Sequence, residues 1–339
     1  MDLVQSVLGR RDVYDMEEVF CCEGRLNMTF LGFNLSHYIN GVAKRHGEVS
    51  RLMFAHYTID SITNGVHPAM WVAQPFRALY DQYIPAWKQD NFSLRYALNI
   101  PRQEIWQAHT AAKRRLLERI NQDANIRMDA NILTIGFARR AATYKRADLL
   151  FQDVQRLREI AARAGPFQLI YAGKAHPQDH GGKEIIQRIF GFKEQLNHDI
   201  KIAYLENYNL ESGHLITSGV DLWLNTPEPP LEASGTSGMK AAVNGVPSLS
   251  VLDGWWIEGH IEGVTGWSIG ESGRSADENH DRSRDASALY DKLERVVLPS
   301  FYKNRDGFVD VMRHAIALNG SYFNTQRMVQ QYVLNAYFE

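Results

Sequence analysis

Short apolar segments of strand character alternate regularly with helical segments from about residue 130 onward. Strands joined through helices form right-handed βαβ units, and successive units build a parallel sheet with helices on both faces. The sequence therefore predicts an α/β fold with a doubly wound parallel sheet. The expected strands are 132–137, 168–172, 200–205, 220–225 and 247–252, and the helices between them are 146–163, 182–196 and 210–217.

The chain up to about residue 125 lacks this alternation. Residues 28–53 are typical of a helix-rich segment interrupted at Asn40-Gly41, and 103–121 is typical of an amphipathic helix. We therefore expect a helix-rich region over residues 1–125 and an α/β domain over 126–339. After the sheet we expect a polar surface loop at 270–285 and closing helices at 286–297, 307–318 and 325–337.

Composition excludes several classes of function. The 339 residues carry a net charge of only −2, which disfavours nucleic acid as a partner. Cys21 and Cys22 are neighbours, so they offer neither a disulfide framework nor the spacing of metal ligands. No apolar stretch approaches the ~20 residues of a spanning helix, and the first residues do not resemble a signal peptide. We therefore expect a cytoplasmic protein without a metal or a membrane partner.

The segment 231–245 carries the first candidate site. Residues 233–238 have only small side chains, so their backbone N–H groups can approach the oxygens of a ligand at the start of a short helix that contains Lys240. Because this segment follows a buried strand at 220–225, it lies where open α/β sheets bind ligands. The Glu232 carboxylate and the Lys240 amine are predicted to flank one anion site. The alternative is an ordinary turn followed by a solvated lysine.

A second candidate site follows the first strand of the sheet. Arg139, Arg140, Lys145 and Arg146 place four cations within eight residues, and such a cluster is self-repulsive unless the cations share an anion. A basic turn that is merely solvated is the alternative interpretation. Since both segments follow strands of one sheet, they are expected to face the same crevice and to suit two phosphate groups.

Together these segments resemble the α-glucan (glycogen/maltodextrin) phosphorylases, and in particular their shorter bacterial and archaeal branch. The resemblance extends from about residue 28 to residue 337. The matching motifs are 232–236 followed by Lys240, Arg139-Arg140 with 144–146, 205–208, and 63–65 with Pro68 and Trp71.

The resemblance implies a pyridoxal 5'-phosphate cofactor, which Lys240 would bind covalently and whose phosphate would act as the acid/base partner of the substrate phosphate. The implied reaction is retaining phosphorolysis of α-1,4-glucan (glycogen or maltodextrin) by inorganic phosphate, which yields glucose 1-phosphate. The cofactor-binding residues would be Lys240, Arg139, Thr236, Ser237, Trp71 and Tyr208. The catalytic residues would be Arg140, Lys145, Glu232 and Thr236, and the substrate-binding residues would be Asn64, Tyr144, Glu232, Ala233, Ser234 and Gly235.

The resemblance also implies a Rossmann-like C-terminal domain of a two-Rossmann (GT-B type) glycosyltransferase. Residues 1–125 would then be the remnant of an N-terminal domain plus a linker, and most of that domain would be absent. A complementary N-terminal-domain chain or a homo-oligomer would supply the missing wall of the cleft. Two positions depart from the larger glycogen phosphorylases, with Asn209 in place of an Arg and Gly238 in place of an Asn.

Two other hypotheses remain open at this stage. A nucleotide-sugar-dependent glucan synthase would share the fold and the glutamate-containing loop, but it would have no need of Lys240. A non-catalytic truncated fragment would bind the cofactor or a glucan without cleaving it.

Overall fold

The computed structural model describes residues 25–124, 126–270 and 282–338, together with Ser6, Val19, Cys21 and Cys22. Most strands of the described residues belong to one central sheet. The strands are β1 (Cys21–Cys22), β2 (Arg25–Leu26), β3 (Asn40–Gly41), β4 (Asp60–Ser61), β5 (Leu133–Ala138), β6 (Phe167–Ala172), β7 (Ile202–Leu205), β8 (Leu222–Asn225), β9 (Ser248–Val251) and β10 (Gly266–Ile269).

The central sheet has six strands in the order β10-β9-β8-β5-β6-β7, and all neighbouring strands are parallel. This confirms the predicted α/β fold with a parallel sheet. The chain moves outward in one direction from β5 and in the other direction from β8. Connections to the two halves therefore diverge between these strands, and the crevice beyond their carboxyl ends is the place where open α/β sheets bind ligands.

The helices fill the connections and form the two ends of the chain. They are α1 (Met28–Leu35), α2 (Lys44–Met53), α3 (Pro68–Trp71), α4 (Gln74–Tyr83), α5 (Arg102–Ala124), α6 (Val154–Arg163), α7 (His180–Leu196), α8 (Leu210–Gly219), α9 (Ser237–Ala242), α10 (Trp256–Gly259), α11 (Arg282–Lys292), α12 (Leu298–Lys303), α13 (Arg305–His314) and α14 (Thr325–Tyr332). Short π-helical turns at Leu293–Val297, Ala315–Gly320 and Val333–Tyr337 extend α11, α13 and α14. Among the described helices, none combines the length and the apolar character needed to cross a bilayer.

Three boundaries differ from the predictions. The helix expected from residue 146 begins at Val154, because Arg146 has a positive φ of 46° and Asp153 caps the later start by accepting from the Arg156 N–H at 2.9 Å. Strand β10 was not predicted at all. The loop expected at 270–285 is helical from residue 282, and residues 271–281 lie outside the described part of the chain.

Hydrophobic cores cover both faces of the sheet. In β5, Leu133, Ile135 and Phe137 belong to one core, whereas Ala138 packs with Trp223 and others in a second core. Successive side chains of a strand point to opposite faces, so this alternation shows that the strand is buried on both sides. The sheet is therefore doubly wound.

A buried group of charged residues attaches α5 to the sheet. The Asp221 carboxylate, fully buried at the start of β8, accepts hydrogen bonds from His109 Nε2 at 2.7 Å, Lys113 Nζ at 2.5 Å and the Thr134 N–H at 2.7 Å. Lys113 also donates to the Ile132 carbonyl at 2.7 Å. Helix α5 is thus joined to the adjacent strands β5 and β8 by charged groups as well as by apolar packing.

The last helix holds the segment around residues 63–66. The Val66 N–H donates to the Phe323 carbonyl at 3.1 Å, and the Thr325 N–H donates to the Val66 carbonyl at 3.0 Å. The Arg327 guanidinium donates to the backbone carbonyl of Asn64 at 3.0 Å. This segment, which precedes the helix of Trp71, is therefore positioned by the end of the chain.

Candidate functional site

The two predicted loops meet at the crevice between β5 and β8. The Glu228 N–H in the loop after β8 donates to the Tyr144 carbonyl in the loop after β5 at 2.8 Å. The Thr226 hydroxyl donates to the Lys145 and Arg146 carbonyls, at 3.0 Å in each case. The structure thus brings the basic segment and the segment of small residues together at the carboxyl ends of two adjacent strands.

Glu232 lies among the cations of the basic segment. Its buried carboxylate accepts from the Arg139 guanidinium at 2.8 Å and forms a close ion pair with the Lys145 ammonium. The Asp253 carboxylate accepts from the Glu232 N–H at 2.9 Å and so orients the backbone of this residue. Glu232 therefore supplies the anion that lets Arg139 and Lys145 lie close together.

Two ionisable groups of this cluster have shifted pKa values. Burial, helped by the neighbouring Arg139, lowers the pKa of Lys145 to about 8. Burial raises the pKa of Asp253 to about 6, although two backbone N–H groups stabilise its charged form. Both groups can therefore change protonation within about one and a half units of neutral pH.

The remaining members of the basic segment differ in their surroundings. Arg140 is exposed, and Tyr144 is partly buried with its ring 4.4 Å from the Lys145 ammonium. Burial raises the pKa of Tyr144, the charge of Glu232 acts in the same direction, and Arg139 opposes the shift. Arg140 is thus accessible from solvent, and Tyr144 lies beside the Lys145 ammonium.

Arg146 does not share this crevice. Its buried guanidinium donates to the Thr226 carbonyl at 2.9 Å and the Pro227 carbonyl at 2.7 Å, and it forms an ion pair with Asp285 at 2.8 Å. In the described contacts Arg146 therefore pairs with a carboxylate and carbonyls of its own, not with the Glu232 carboxylate that Arg139 and Lys145 share. It holds the loop after β8 in place instead.

Lys240 lies on α9, within the first turns of a short helix as predicted. Its ammonium nitrogen is 3.8 Å from the centroid of the Trp71 indole, a distance at which a cation is attracted to the ring face. The side chain is partly buried, and burial lowers the pKa of Lys240 below its ordinary value. A larger fraction of the amine is therefore uncharged, and hence nucleophilic, than in an exposed lysine.

The loop before α9 packs closely at its glycines. Gly235 has a positive φ of 75°, and a Cβ there would lie 3.3 Å from Glu232 Oε1. A Cβ at Gly238 would lie 2.8 Å from the Trp255 ring, so an Asn at this position would clash. Within the described part of the chain, the buried Ser234 Oγ has no hydrogen-bond partner. The loop therefore has a polar group available to a ligand.

The other predicted residues differ in burial and in their partners. Thr236 is partly buried and precedes α9, and the Ser237 hydroxyl accepts from Trp223 Nε1 at 3.3 Å. Tyr208 is partly buried, and burial raises the pKa of its hydroxyl while the charge of Arg139 opposes the shift. Ala233 and Asn64 are partly buried as well.

Trp71 separates Lys240 from a neighbouring cavity. The indole stacks on the His214 imidazole with the ring centroids 6.4 Å apart and the planes at 25°. Asn209 caps α8 by accepting from the Ser212 N–H at 2.9 Å, so its amide serves the local fold. The cavity has a volume of about 520 Å³ and is lined by Met70, Trp71, Asn209, Leu210, Glu211 and His214.

Three residues of the site were missed from the sequence. Asp253 has a detectable signal, because a polar residue followed by a glycine comes directly after the predicted strand 247–252. His214 lies inside a predicted helix and has no such signal. Asn244 precedes Gly245, a pair typical of a helix end, and the structure buries it completely with its amide bound to the carbonyls of Trp71 and Lys240.

The shifted pKa of Lys145 predicts that anion binding depends on pH. Sulfate keeps its charge between pH 7 and 9, whereas the protonated fraction of a group with a pKa of about 8 falls about tenfold over this range. We therefore expect sulfate affinity, measured by calorimetry, to fall by up to about tenfold as the pH rises from 7 to 9. Lys145→Arg should bind equally well at both pH values, and equal affinity in the unmodified chain would contradict the prediction.

Comparison with known proteins points to one family. The family profile "Carbohydrate phosphorylase" matches residues 5–333. The chain is 40% identical to the maltodextrin phosphorylase of Thermococcus litoralis, over 91% of this chain and 40% of that protein. It is 40% identical to the glycogen phosphorylase of Aquifex aeolicus, over 92% of this chain and 49% of that protein. For the glycogen phosphorylase of Mycobacterium tuberculosis the identity is 36%, over 92% of this chain and 40% of that protein.

This chain spans less than half the length of each of these relatives. The match to the family profile nevertheless covers almost all of its own residues, including both loops of the crevice. The resemblance seen in the motifs is confirmed, and the chain belongs to the carbohydrate phosphorylase family.

Proposed function

We propose that this chain forms the cofactor- and phosphate-binding part of an α-1,4-glucan phosphorylase, which converts glycogen or maltodextrin and inorganic phosphate into glucose 1-phosphate. One observation carries the proposal. Lys240, whose partly buried amine has a lowered pKa, lies on α9. This helix follows the loop that carries Glu232, the partner of Arg139 and Lys145. The names of the relatives, maltodextrin phosphorylase and glycogen phosphorylase, agree with this substrate class.

The residues of the crevice fit pyridoxal 5'-phosphate. Lys240 supplies the amine for covalent attachment, and its lowered pKa favours the uncharged form that attachment needs. Arg139 and the backbone around Thr236 and Ser237 would hold the cofactor phosphate, while Trp71 and Tyr208 line the pocket. When bound, the cofactor supplies a phosphate group that exchanges a proton with the substrate phosphate.

The neighbouring residues would bind the second phosphate and the sugar. Two adjacent phosphates repel each other, and Arg139, Arg140 and Lys145 would offset that repulsion. The cofactor phosphate at Arg139 and the substrate phosphate at Lys145 would compete with Glu232, the present partner of both cations, and so release the Glu232 carboxylate to accept a hydroxyl of the glucosyl unit. The other groups proposed to contact the sugar are Ala233, Ser234, Gly235, Tyr144 and Asn64.

We infer that residues 126–339 correspond to the C-terminal domain of a GT-B type enzyme in the cytoplasm, and that residues 1–125 form a helix-rich N-terminal segment and linker. Exposed apolar side chains toward both ends of the chain support the proposal that a partner covers this surface. The most exposed of them are Met28 (66%), Leu35 (69%), Leu52 (82%), Met53 (69%), Leu334 (66%), Tyr337 (71%) and Phe338 (80%). A complementary N-terminal-domain chain or a second copy of this chain would cover such a surface.

The test is to mix the purified chain with maltodextrin, phosphate and pyridoxal phosphate, with and without the N-terminal half of the Thermococcus litoralis enzyme. Glucose 1-phosphate should appear when that half is present, because it closes the cleft and excludes water. No glucose 1-phosphate under either condition would count against the proposal. Glucan elongation from a nucleotide sugar would favour the synthase hypothesis, and cofactor binding without cleavage would favour the non-catalytic fragment.

A further inference from the structure

The side chain of Asn244 joins the two short helices that carry Trp71 and Lys240. The residue is fully buried, and its Oδ1 accepts from the Ala73 N–H at 2.7 Å. Its Nδ2 donates to the Trp71 carbonyl at 2.8 Å and to the Lys240 carbonyl at 2.9 Å. The two N–H donors of the Asn244 amide therefore bind the backbone of Trp71, which provides the indole, and the backbone of Lys240, which provides the amine.

These helices depend on such contacts for their relative position. Helix α3 has 4 residues and α9 has 6, and helices of this length have little stability of their own in water. A second bond, from the Tyr80 hydroxyl to the Val243 carbonyl at 2.8 Å, ties the same region to α4. Only the Asn244 bonds link the backbone of Lys240 directly to that of Trp71 among the contacts described here.

We propose that Asn244 is a positioning residue, which holds the Lys240 amine against the Trp71 indole and thereby sets its burial and protonation. Asn244 acts through the backbone and does not contact the amine itself. If its two donated bonds are lost, α9 can shift away from α3, and the amine becomes more exposed to water. The Lys240 amine should then titrate closer to its ordinary pKa of 10.5, because burial is what lowers it.

The positioning role of Asn244 rests on the proposed function only in one respect, which is that the Lys240 amine binds a cofactor. The test on the full chain therefore has two readouts. The first is the pH dependence of Lys240 methylation by formaldehyde and borohydride. The second is the yield of the pyridoxyl adduct after treatment with pyridoxal phosphate and borohydride. Asn244→Asp keeps the shape and the acceptor for Ala73, but it places an oxygen against two carbonyl oxygens. A carboxylate near Lys240 would also raise the pKa of its amine by charge alone, so Asn244→Ala, which removes the bonds without adding a charge, must show the same rise.

Asn91→Asp is the matched control. Asn91 is also buried and donates through Nδ2 to a tryptophan carbonyl at 2.8 Å, but that carbonyl belongs to Trp87. We expect the midpoint of Lys240 methylation to rise in the Asn244 variants, by about half a pH unit or more, and the adduct yield to fall several-fold at limiting cofactor. Asn91→Asp should change neither the methylation midpoint nor the adduct yield, even if it lowers the urea midpoint of unfolding as much as the Asn244 variants do.

The two possible failures can be told apart. If the unmodified chain forms no pyridoxyl adduct at Lys240, the proposed function fails, while the methylation midpoint still tests the role of Asn244. If the unmodified chain forms the adduct and a folded Asn244 variant titrates Lys240 at the same pH, the positioning role is overturned. An equal shift in Asn91→Asp would also overturn it, because a general loss of packing would then explain the change.

Discussion

Lys240→Arg should abolish the pyridoxyl adduct that borohydride fixes when the chain is incubated with pyridoxal phosphate. Arginine can keep a positive charge over the Trp71 indole, where the lysine ammonium lies 3.8 Å from the ring centroid. Its guanidinium stays protonated at any accessible pH, however, so it cannot react with an aldehyde as a free amine does. Peptide mapping should find the modification at position 240 in the unmodified chain and no modification there in the variant.

The matched control for this experiment is Lys193→Arg. The Lys193 ammonium also lies over an aromatic ring, 5.7 Å from the Phe190 centroid, but it is on α7, away from the crevice. This variant should keep the full adduct at Lys240. If the unmodified chain is labelled elsewhere, or if Lys240→Arg keeps the same yield, the assignment of Lys240 fails, and with it the proposed cofactor.

Asp221→Asn should lower the free energy of unfolding by about 3–5 kcal/mol, which is typical for removing one partner of a buried ion pair. The substitution preserves size but leaves the Lys113 ammonium, 2% exposed, without an opposite charge. It also weakens the bond to His109, whose ring is equally buried. Urea denaturation measures the effect, and hydrogen exchange should show that the amides of α5 lose protection, because this network attaches α5 to the sheet.

Glu159→Gln is the corresponding surface control. Glu159 pairs with Arg163 at 2.9 Å, but the side chains are 47% and 64% exposed, respectively. Removing such a pair changes stability by about 0–1 kcal/mol, since water solvates both charges after the change. A loss for Asp221→Asn no larger than this would show that the buried network contributes little to the attachment of α5.

The sheet was predictable because its signal is local. Buried parallel strands are continuous apolar segments, and helical segments separate them, so β5 to β9 were found within about two residues. Strand β10 was missed because no predicted helix separates Gly266–Ile269 from the strand before it, and a polar segment follows it directly. The start of α6 was missed because a left-handed Arg146 stabilised by two distant carbonyls has no sequence signal.

The candidate site was predictable in part. Its two loops and the lysine on a short helix follow from residue types placed after strands, and these loops do meet in the structure. The pairing of Glu232 with Arg139 and Lys145 did not follow, because it joins residues about 90 positions apart. Which cation pairs with Glu232 depends on the side chains that the fold buries beside it, and the local sequence does not show them.

The sequence by itself determined the class of fold, the family and the two segments that form the crevice, because periodicity and motif spacing are properties of neighbouring residues. Only the tertiary structure decided which cations remain available to a ligand, and that Asn244 joins the backbones of Trp71 and Lys240. It also decided that Asp221 is the buried partner of Lys113 and His109. Hydrogen bonds and desolvation act over a few ångströms in space, so their outcome is set when distant segments pack together.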